Sequence, residues 1–210
     1  MKKLDNKVAI ITGGAGGIGK ATALEFLNEG SDVLLFDLNE SDLKKLCQEI
    51  GSNHLSYFAG DVTSFEDNLK AVEIAKEKFG GLDILISNDG AAPGGAIGDV
   101  SDEILRKSFE INFFSHQNCA SEAIKIMKKQ NTNGCLLFNI SKQSVNPGKN
   151  FGPYGLPKSA LLSLCKQYAV DYGSYGIRSN GVNADRIRSG LMTDKMIKTR
   201  AKARSVTTND

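Results

Sequence analysis

The stretch Val8-Ala9-Ile10-Ile11-Thr12-Gly13-Gly14-Ala15-Gly16-Gly17-Ile18-Gly19 decides the fold. Val8 to Thr12 is a short, continuous, β-branched run, the pattern of a parallel strand buried on both faces. Glycines follow, and a helical pattern opens straight after them, with Ala21, Leu24, Phe26 and Leu27 among its apolar positions. Strand, glycine loop and helix in that order turn a glycine motif into a phosphate site. Bare backbone lets a pyrophosphate come close. The helix N-terminus supplies unpaired N–H groups and a positive dipole end. Two spacings fit: Gly14-x-Gly16-x-x-Gly19 and Gly13-x-x-x-Gly17-x-Gly19.

The pattern then repeats outward. A second strand, Asp32 to Asp37, ends in a carboxylate 18 residues after Gly19. An acid there accepts hydrogen bonds from both adenosine ribose hydroxyls and repels a 2′-phosphate. Leu38, Asn39 and Glu40 follow it, with no Arg or Lys, so NAD is preferred and NADP is the lesser possibility. The competing reading makes Asp37 the N-cap of a helix over 40–50, where Asn39 or Ser41 would serve equally well. A third strand over 54–59 runs into Gly60-Asp61-Val62, where Asp61 ends on the same sheet edge, within reach of an adenine. A helix over 64–79 takes Ser64 as N-cap and stops at Gly80-Gly81. A fourth strand over 82–87 ends in Asn88-Asp89-Gly90. The spacing then predicts one long helical region over 101–130. Within it Asn112, among apolar neighbours, competes with the backbone for hydrogen bonds.

The fifth strand, over 135–140, places Ser141 at its carboxyl end, where open α/β sheets bind ligands. Downstream, Tyr154 and Lys158 are spaced i to i+4 and share one face of a helix expected to start close to Tyr154 and run to about Tyr172. Pro157 requires that late start, because proline is cheap only in a first helical turn. A lysine ammonium near a phenol favours the phenolate, which makes Tyr154 an acid/base candidate. Ser141 is placed to hydrogen-bond the same substrate oxygen. A sixth strand spans 177–183, and a polar, basic remainder follows.

Composition adds bounds. With 210 residues, 40% hydrophobic and 24% charged, the chain fits one soluble domain. A formal net charge of +2 gives no pointer to nucleic acid or a membrane surface. No apolar run reaches the ~20 residues needed to span a bilayer. Met1-Lys2-Lys3-Leu4-Asp5 begins no apolar leader. Cys47, Cys119, Cys135 and Cys165 form no close pair, and His54 and His116 lie far apart, so free cytoplasmic thiols and no metal site are expected. The alternation predicts a doubly wound parallel sheet, a three-layer Rossmann fold, over residues 1–210 as a single domain.

These motifs together resemble the short-chain dehydrogenase/reductase family. The likeness is carried by Thr12-Gly13-x-x-x-Gly17-Ile18-Gly19, Asp37, Asp61-Val62, Asn88-x-Gly90, Asn112, Asn139-Ile140-Ser141 and Tyr154-x-x-x-Lys158. It implies hydride transfer between a nicotinamide and a carbon bearing a hydroxyl or carbonyl group. It also implies that Tyr154 is the acid/base, and that Lys158 binds the nicotinamide ribose and lowers the tyrosine pKa. Ser141 would position the substrate oxygen, and Asn112 would hold a water in the proton relay. The segments 139–158 and 182–190 further resemble the dehydrogenase half of bifunctional rhamnulose-phosphate aldolase/short-chain dehydrogenases. That likeness implies small hydroxyaldehydes such as lactaldehyde as substrates, and a homo-oligomer or an aldolase-linked chain as the assembly.

The sequence departs from the family pattern in several places. Asp89 brings a carboxyl to the nicotinamide side. Lys142 follows Ser141 where the family has a second serine, and one alignment puts Lys142 at the catalytic position. Ala184-Asp185 replaces a usual Pro-Gly, and no seventh strand is expected after Val182. Two alternatives stay open: a 3-oxoacyl-thioester or sugar-alcohol reductase of the same fold, and an NAD-binding regulatory or truncated relative without turnover.

Overall fold

The structure is a computed structural model and describes residues 2–185, 187 and 197–198. In chain order its elements begin with β1 (Val8–Thr12), α1 (Gly17–Asn28), β2 (Asp32–Asp37), α2 (Glu40–Ile50), β3 (Leu55–Ala59) and α3 (Phe65–Phe79). There follow β4 (Ile84–Ser87), α4 (Asp102–Phe109), α5 (Ser115–Gln130), β5 (Gly134–Asn139), α6 (Gly152–Tyr172) and β6 (Ile177–Val182). The strands form one parallel sheet in the order β3-β2-β1-β4-β5-β6. This is the doubly wound arrangement that the alternation predicts.

Strand periodicity sorts the core into two layers, because successive side chains point to opposite faces. Ile10, Leu34 and Phe36 pack with Ala71 and Val72 of α3, Ala120 of α5 and Leu161 of α6. Ile11, Val33, Leu35 and Ile86 pack on the other face with Ala23 of α1 and with Leu43 and Leu46 of α2. All five residues of β1 are buried, as a central strand requires. In β5, by contrast, buried and half-buried residues alternate.

Helix ends follow local chemistry. Ser64 caps α3 through a bond from the Asp67 amide, and Gly80 closes it in the left-handed conformation, φ 90°. Asn39 caps α2 by accepting from the Asp42 amide. That leaves Asp37 outside the capping role.

Two expectations need correction. The region over 101–130 is not one regular helix. A π-helical turn, Glu110–Phe114, separates α4 from α5 and carries Asn112. Helix α6 starts at Gly152 rather than Tyr154, with Pro153 in its first turn. Pro157 therefore lies inside the helix, where it has no N–H to offer the Pro153 carbonyl. The expected absence of a seventh strand concerns residues 186–210, which, apart from 187 and 197–198, lie outside the described residues.

Candidate active site

The strand order reverses between β1 and β4, and a crevice opens there at the carboxyl ends of the strands. A cavity of about 650 Å³ occupies it. Gly13, Gly16, Gly17 and Ile18 form one wall; Asp37, Asp61 and Val62 form a second; Asn88, Asp89 and Gly90 form a third.

The glycine wall is shaped for an anion. Gly13 has φ +60°, a conformation that favours glycine. A Cβ on Gly19 would collide with the Gly13 carbonyl oxygen and come within 2.8 Å of Gly14 Cα, so the helix packs on the loop only because that atom is missing. The α1 N-terminus has no side-chain cap and no acid in its first turn. Its leading N–H groups thus lack the partner that α2 and α3 receive from Asn39 and Ser64. A dinucleotide's pyrophosphate fits that donor set.

Asp37 closes β2 beside this loop. Its Oδ2 accepts from the Ala15 amide at 3.0 Å and its Oδ1 from the Asn39 amide at 3.3 Å. Asp61 Oδ1 is held in a local turn by the Thr63 amide and hydroxyl, at 2.8 and 2.7 Å. The Val62 carbonyl is anchored by Asn68 Nδ2.

Asn88 ties three strands together at the switch point. Its amide donates to Thr12 Oγ1 at 2.9 Å, its Nδ2 to the Thr12 carbonyl at 3.2 Å, and its Oδ1 accepts from Asn139 Nδ2 at 2.8 Å. Asn112 is fully buried, and its Nδ2 donates to the Ala91 carbonyl and to the Ser108 carbonyl and hydroxyl, while its Oδ1 accepts from the Ala91 amide. Asn112 therefore clamps the segment after Gly90 to the π-helical turn. Gly90 gives way to it: a Cβ there would meet Asn112 Oδ1 at 3.1 Å.

The Ser141 and Tyr154 side chains approach each other closely enough for the serine hydroxyl to act on the phenol, lowering its pKa. Ser141 Oγ also accepts from the Gln143 amide at 3.2 Å. Lys142 takes no part in this pair; its ammonium faces Asp185 at 3.8 Å. Lys158 is buried beneath Tyr154, with Nζ 5.9 Å from the phenol ring centroid. Its bonds run elsewhere: to the Asn139 carbonyl at 2.9 Å, the Asp89 carbonyl at 3.4 Å and the His116 ring at 3.2 Å.

This geometry changes the expected electrostatics. Burial pushes the Tyr154 phenol up, opposed by the neighbouring Ser141 hydroxyl, so the protein's own groups do not make it a phenolate at neutral pH. The lysine is spent on carbonyls rather than aimed at the phenol oxygen. Burial also brings Lys158 itself down to about 7, with Asp89 pulling the other way. Burial raises the Asp89 carboxyl to about 6, against a hydrogen bond from Thr12, and the nearby Asp37 charge adds to the rise.

His116 is the residue that sequence reasoning missed. In the sequence its only histidine neighbour is the distant His54, which argues against zinc and points to no other role. It is wholly buried, with Nε2 facing Lys158 and Nδ1 2.6 Å from Ser87 Oγ. Burial and the Lys158 charge hold its pKa well below the usual histidine range, so the ring is neutral. A neutral ring that accepts from the ammonium at Nε2 carries its proton on Nδ1 and donates it to Ser87. Its position four residues after Asn112 was the available signal.

Comparison with known proteins bears on this site. Residues 7–200 match the family model described as short chain dehydrogenase. An uncharacterized oxidoreductase of Bacillus subtilis, YuxG, is 36% identical over 192 residues, which cover 90% of this chain and 28% of that protein. Short chain aldehyde dehydrogenase 1 of Euphorbia lathyris is 36% identical over 195 residues, 91% of this chain and 67% of that one. Among solved structures, a 3-ketoacyl-(acyl-carrier-protein) reductase from Brucella melitensis complexed with NADH superposes with a TM-score of 0.89 at 25% identity. That match covers 96% of this chain and 84% of the other. This chain thus spans little more than a quarter of the Bacillus relative and about two thirds of the Euphorbia one.

Proposed function

We propose that this chain, which belongs to the short-chain dehydrogenase family, is an NAD-dependent oxidoreductase of small hydroxy and carbonyl compounds. The observation that carries the reading is the approach of Ser141 to Tyr154 over buried Lys158, whose ammonium is bonded to the carbonyl of Asn139 in the wall of the glycine-lined cavity. A bound nicotinamide supplies the hydride acceptor or donor. The chain's own residues do the rest. The Gly13–Gly19 loop and the α1 N-terminus receive the pyrophosphate. Asp37, with no basic residue after it, receives the adenosine ribose and disfavours a 2′-phosphate. Ser141 Oγ and Tyr154 Oη converge on one substrate oxygen; Tyr154 takes its proton in oxidation and returns it in reduction.

Lys158 serves the tyrosine through charge. Asn139, Asp89 and His116 hold its Nζ in place, and the ammonium form favours a developing phenolate. Asn112 enters as the clamp on Ala91; a water held at the π-helical turn belongs to this proposal as the proton's route onward.

Lactaldehyde and similar small hydroxyaldehydes are the first substrates to test, because segments 139–158 and 182–190 resemble aldolase-linked dehydrogenases. The Bacillus relative carries a segment like this one within a much longer chain; the assembly proposed for this chain is a homo-oligomer or an aldolase-linked chain. The Brucella structure favours a second reading, a 3-oxoacyl-thioester reductase. The test is absorbance at the reduced-nicotinamide band with lactaldehyde, small alcohols, sugar alcohols and a 3-oxoacyl thioester. Turnover of the small compounds with NAD or NADH supports the proposal. Turnover of the thioester alone favours the second reading. Binding of NADH with no turnover of any compound replaces both with a nucleotide-binding module.

A further inference from the structure

Four carboxyl residues, Asp37, Asp61, Asp89 and Glu110, line a cavity whose glycine wall is built for an anion, and two of them, Asp37 and Asp89, lie against that wall. They are not equivalent. Asp37 is paired with two backbone amides, those of Ala15 and Asn39, which satisfy it as an anion. Asp89 has no such pair. It is part-buried where β4 leads into the cavity wall, and the neighbours that favour its anion are the neutral Thr12 hydroxyl and its own backbone amide. Its carboxyl also lies beside the loop: a Cβ on Gly13 would meet Asp89 Oδ1 at 3.5 Å.

The charged and titratable groups around Asp89 come from every neighbouring element. β2 brings the like charge of Asp37, and α6 brings the opposite charge of Lys158. α5 brings His116, neutral for the reasons given, and the Cys119 thiol, which burial and the Asp89 charge push well up. Lys107 and Glu110 line the same cavity with opposite signs. Lys158 is committed to Asn139, Asp89 carbonyl and His116 contacts, so no cation makes a close pair with the Asp89 carboxylate among the described residues. A pyrophosphate adds negative charge to this cavity, and the group best able to give one up is Asp89.

We propose that Asp89 couples dinucleotide binding to uptake of one proton: the cavity accepts the anionic cofactor with the Asp89 carboxyl in its acid form. The balance is simple. One solvent proton bonds to an Asp89 carboxylate oxygen as the cofactor enters, and leaves when it departs. The inference rests on the dinucleotide reading given above. It adds that affinity for that cofactor rises as pH falls. The neutral pKa region is the working window, because the free carboxyl already titrates near 6 and an incoming anion raises it further.

The test is NADH titration by fluorescence from pH 8 to pH 5.5 on wild type and Asp89→Asn, with calorimetry on wild type at pH 7 in two buffers of different ionisation enthalpy. The expected result is a Kd that tightens by up to about ten-fold per pH unit as pH falls from 8 toward 6, then levels off. Asp89→Asn binds more tightly than wild type at pH 8 and loses most of that slope. Calorimetry on wild type reads proton uptake directly and does not depend on the variant folding. Lys158 also titrates in this window, so the slope that belongs to Asp89 is the difference between wild type and variant. A flat wild-type profile with no proton uptake, or a variant that keeps the full slope, overturns the inference while leaving the cofactor site standing. Failure of both proteins to bind NADH at every pH overturns the dinucleotide reading, and the inference with it.

Discussion

The glycine loop after β1 and the floor beneath Tyr154 line up along one sheet edge, yet they are built by opposite means. The loop is backbone. Its site consists of missing side chains and unpaired N–H groups, and what it excludes is a Cβ. The floor is made of side chains. Lys158, His116 and Ser87 are buried, and they arrive from α6, α5 and β4. A backbone site tolerates changes in its surroundings as long as the turn survives. A buried polar cluster depends on every member, because each group removed leaves another unsatisfied in a low dielectric.

Variants in the two regions separate these behaviours. The largest effect is expected from Tyr154→Phe, which removes the phenol oxygen and nothing else. Turnover falls by about 10²–10⁴-fold while NADH binding persists; normal turnover in that variant removes Tyr154 from the mechanism. Next comes Gly19→Ala, which forces a Cβ against Gly13 and Gly14. It loses about 1–3 kcal/mol in denaturant unfolding, and NADH binding falls with it; a variant with wild-type stability and affinity contradicts the packing described.

His116→Val attacks the floor. It removes the acceptor facing Lys158 and the partner of Ser87, at a cost of about 1.5–3 kcal/mol in the same unfolding experiment. His116→Gln, which keeps an acceptor, should recover part of the loss. If both variants match wild type, the cluster is not cooperative.

The smallest effect is the pH dependence of Asp89→Asn. The folded protein holds the Asp89 carboxyl at about 6, above its ordinary 3.8. Between those two values the folded state binds more protons than the unfolded state, so wild-type stability falls as pH rises through that interval and the penalty is complete above it. The variant should therefore melt a few degrees above wild type at pH 8, with the advantage gone near pH 4. An advantage that is equal at both pH values has another cause.

The same contrast explains what the sequence disclosed. Backbone sites leave marks in the sequence: Gly13, Gly17 and Gly19 follow a β-branched run, and the parallel, doubly wound sheet follows from the alternation of strands and helices. The cap question at Asp37 stayed open because Asn39, Ser41 and Asp37 are all competent caps; only the bond from Asp42 to Asn39 decides it. The π-helical turn was hidden because apolar residues continue through 110–114 with no glycine or proline to break the pattern. His116 was hidden for a different reason. Its partner Lys158 is 42 residues away and meets it only once α5 and α6 pack on the same face of the sheet. The bonding of Lys158 was hidden because helical spacing gives neighbours and not directions; its Nζ donates to the carbonyls of Asn139 and Asp89.

The central claim is that the cavity between β1 and β4 is an NAD site. Its most direct test is the pair of dissociation constants for NADH and NADPH, measured by fluorescence titration of the wild-type chain and of Asp37→Ala. The account predicts that wild type binds NADH at least about ten-fold more tightly, the loss of one charge-assisted contact being worth that much, and that Asp37→Ala erodes the ratio. Equal or tighter binding of NADPH by wild type, or an unaltered ratio in the variant, would contradict it.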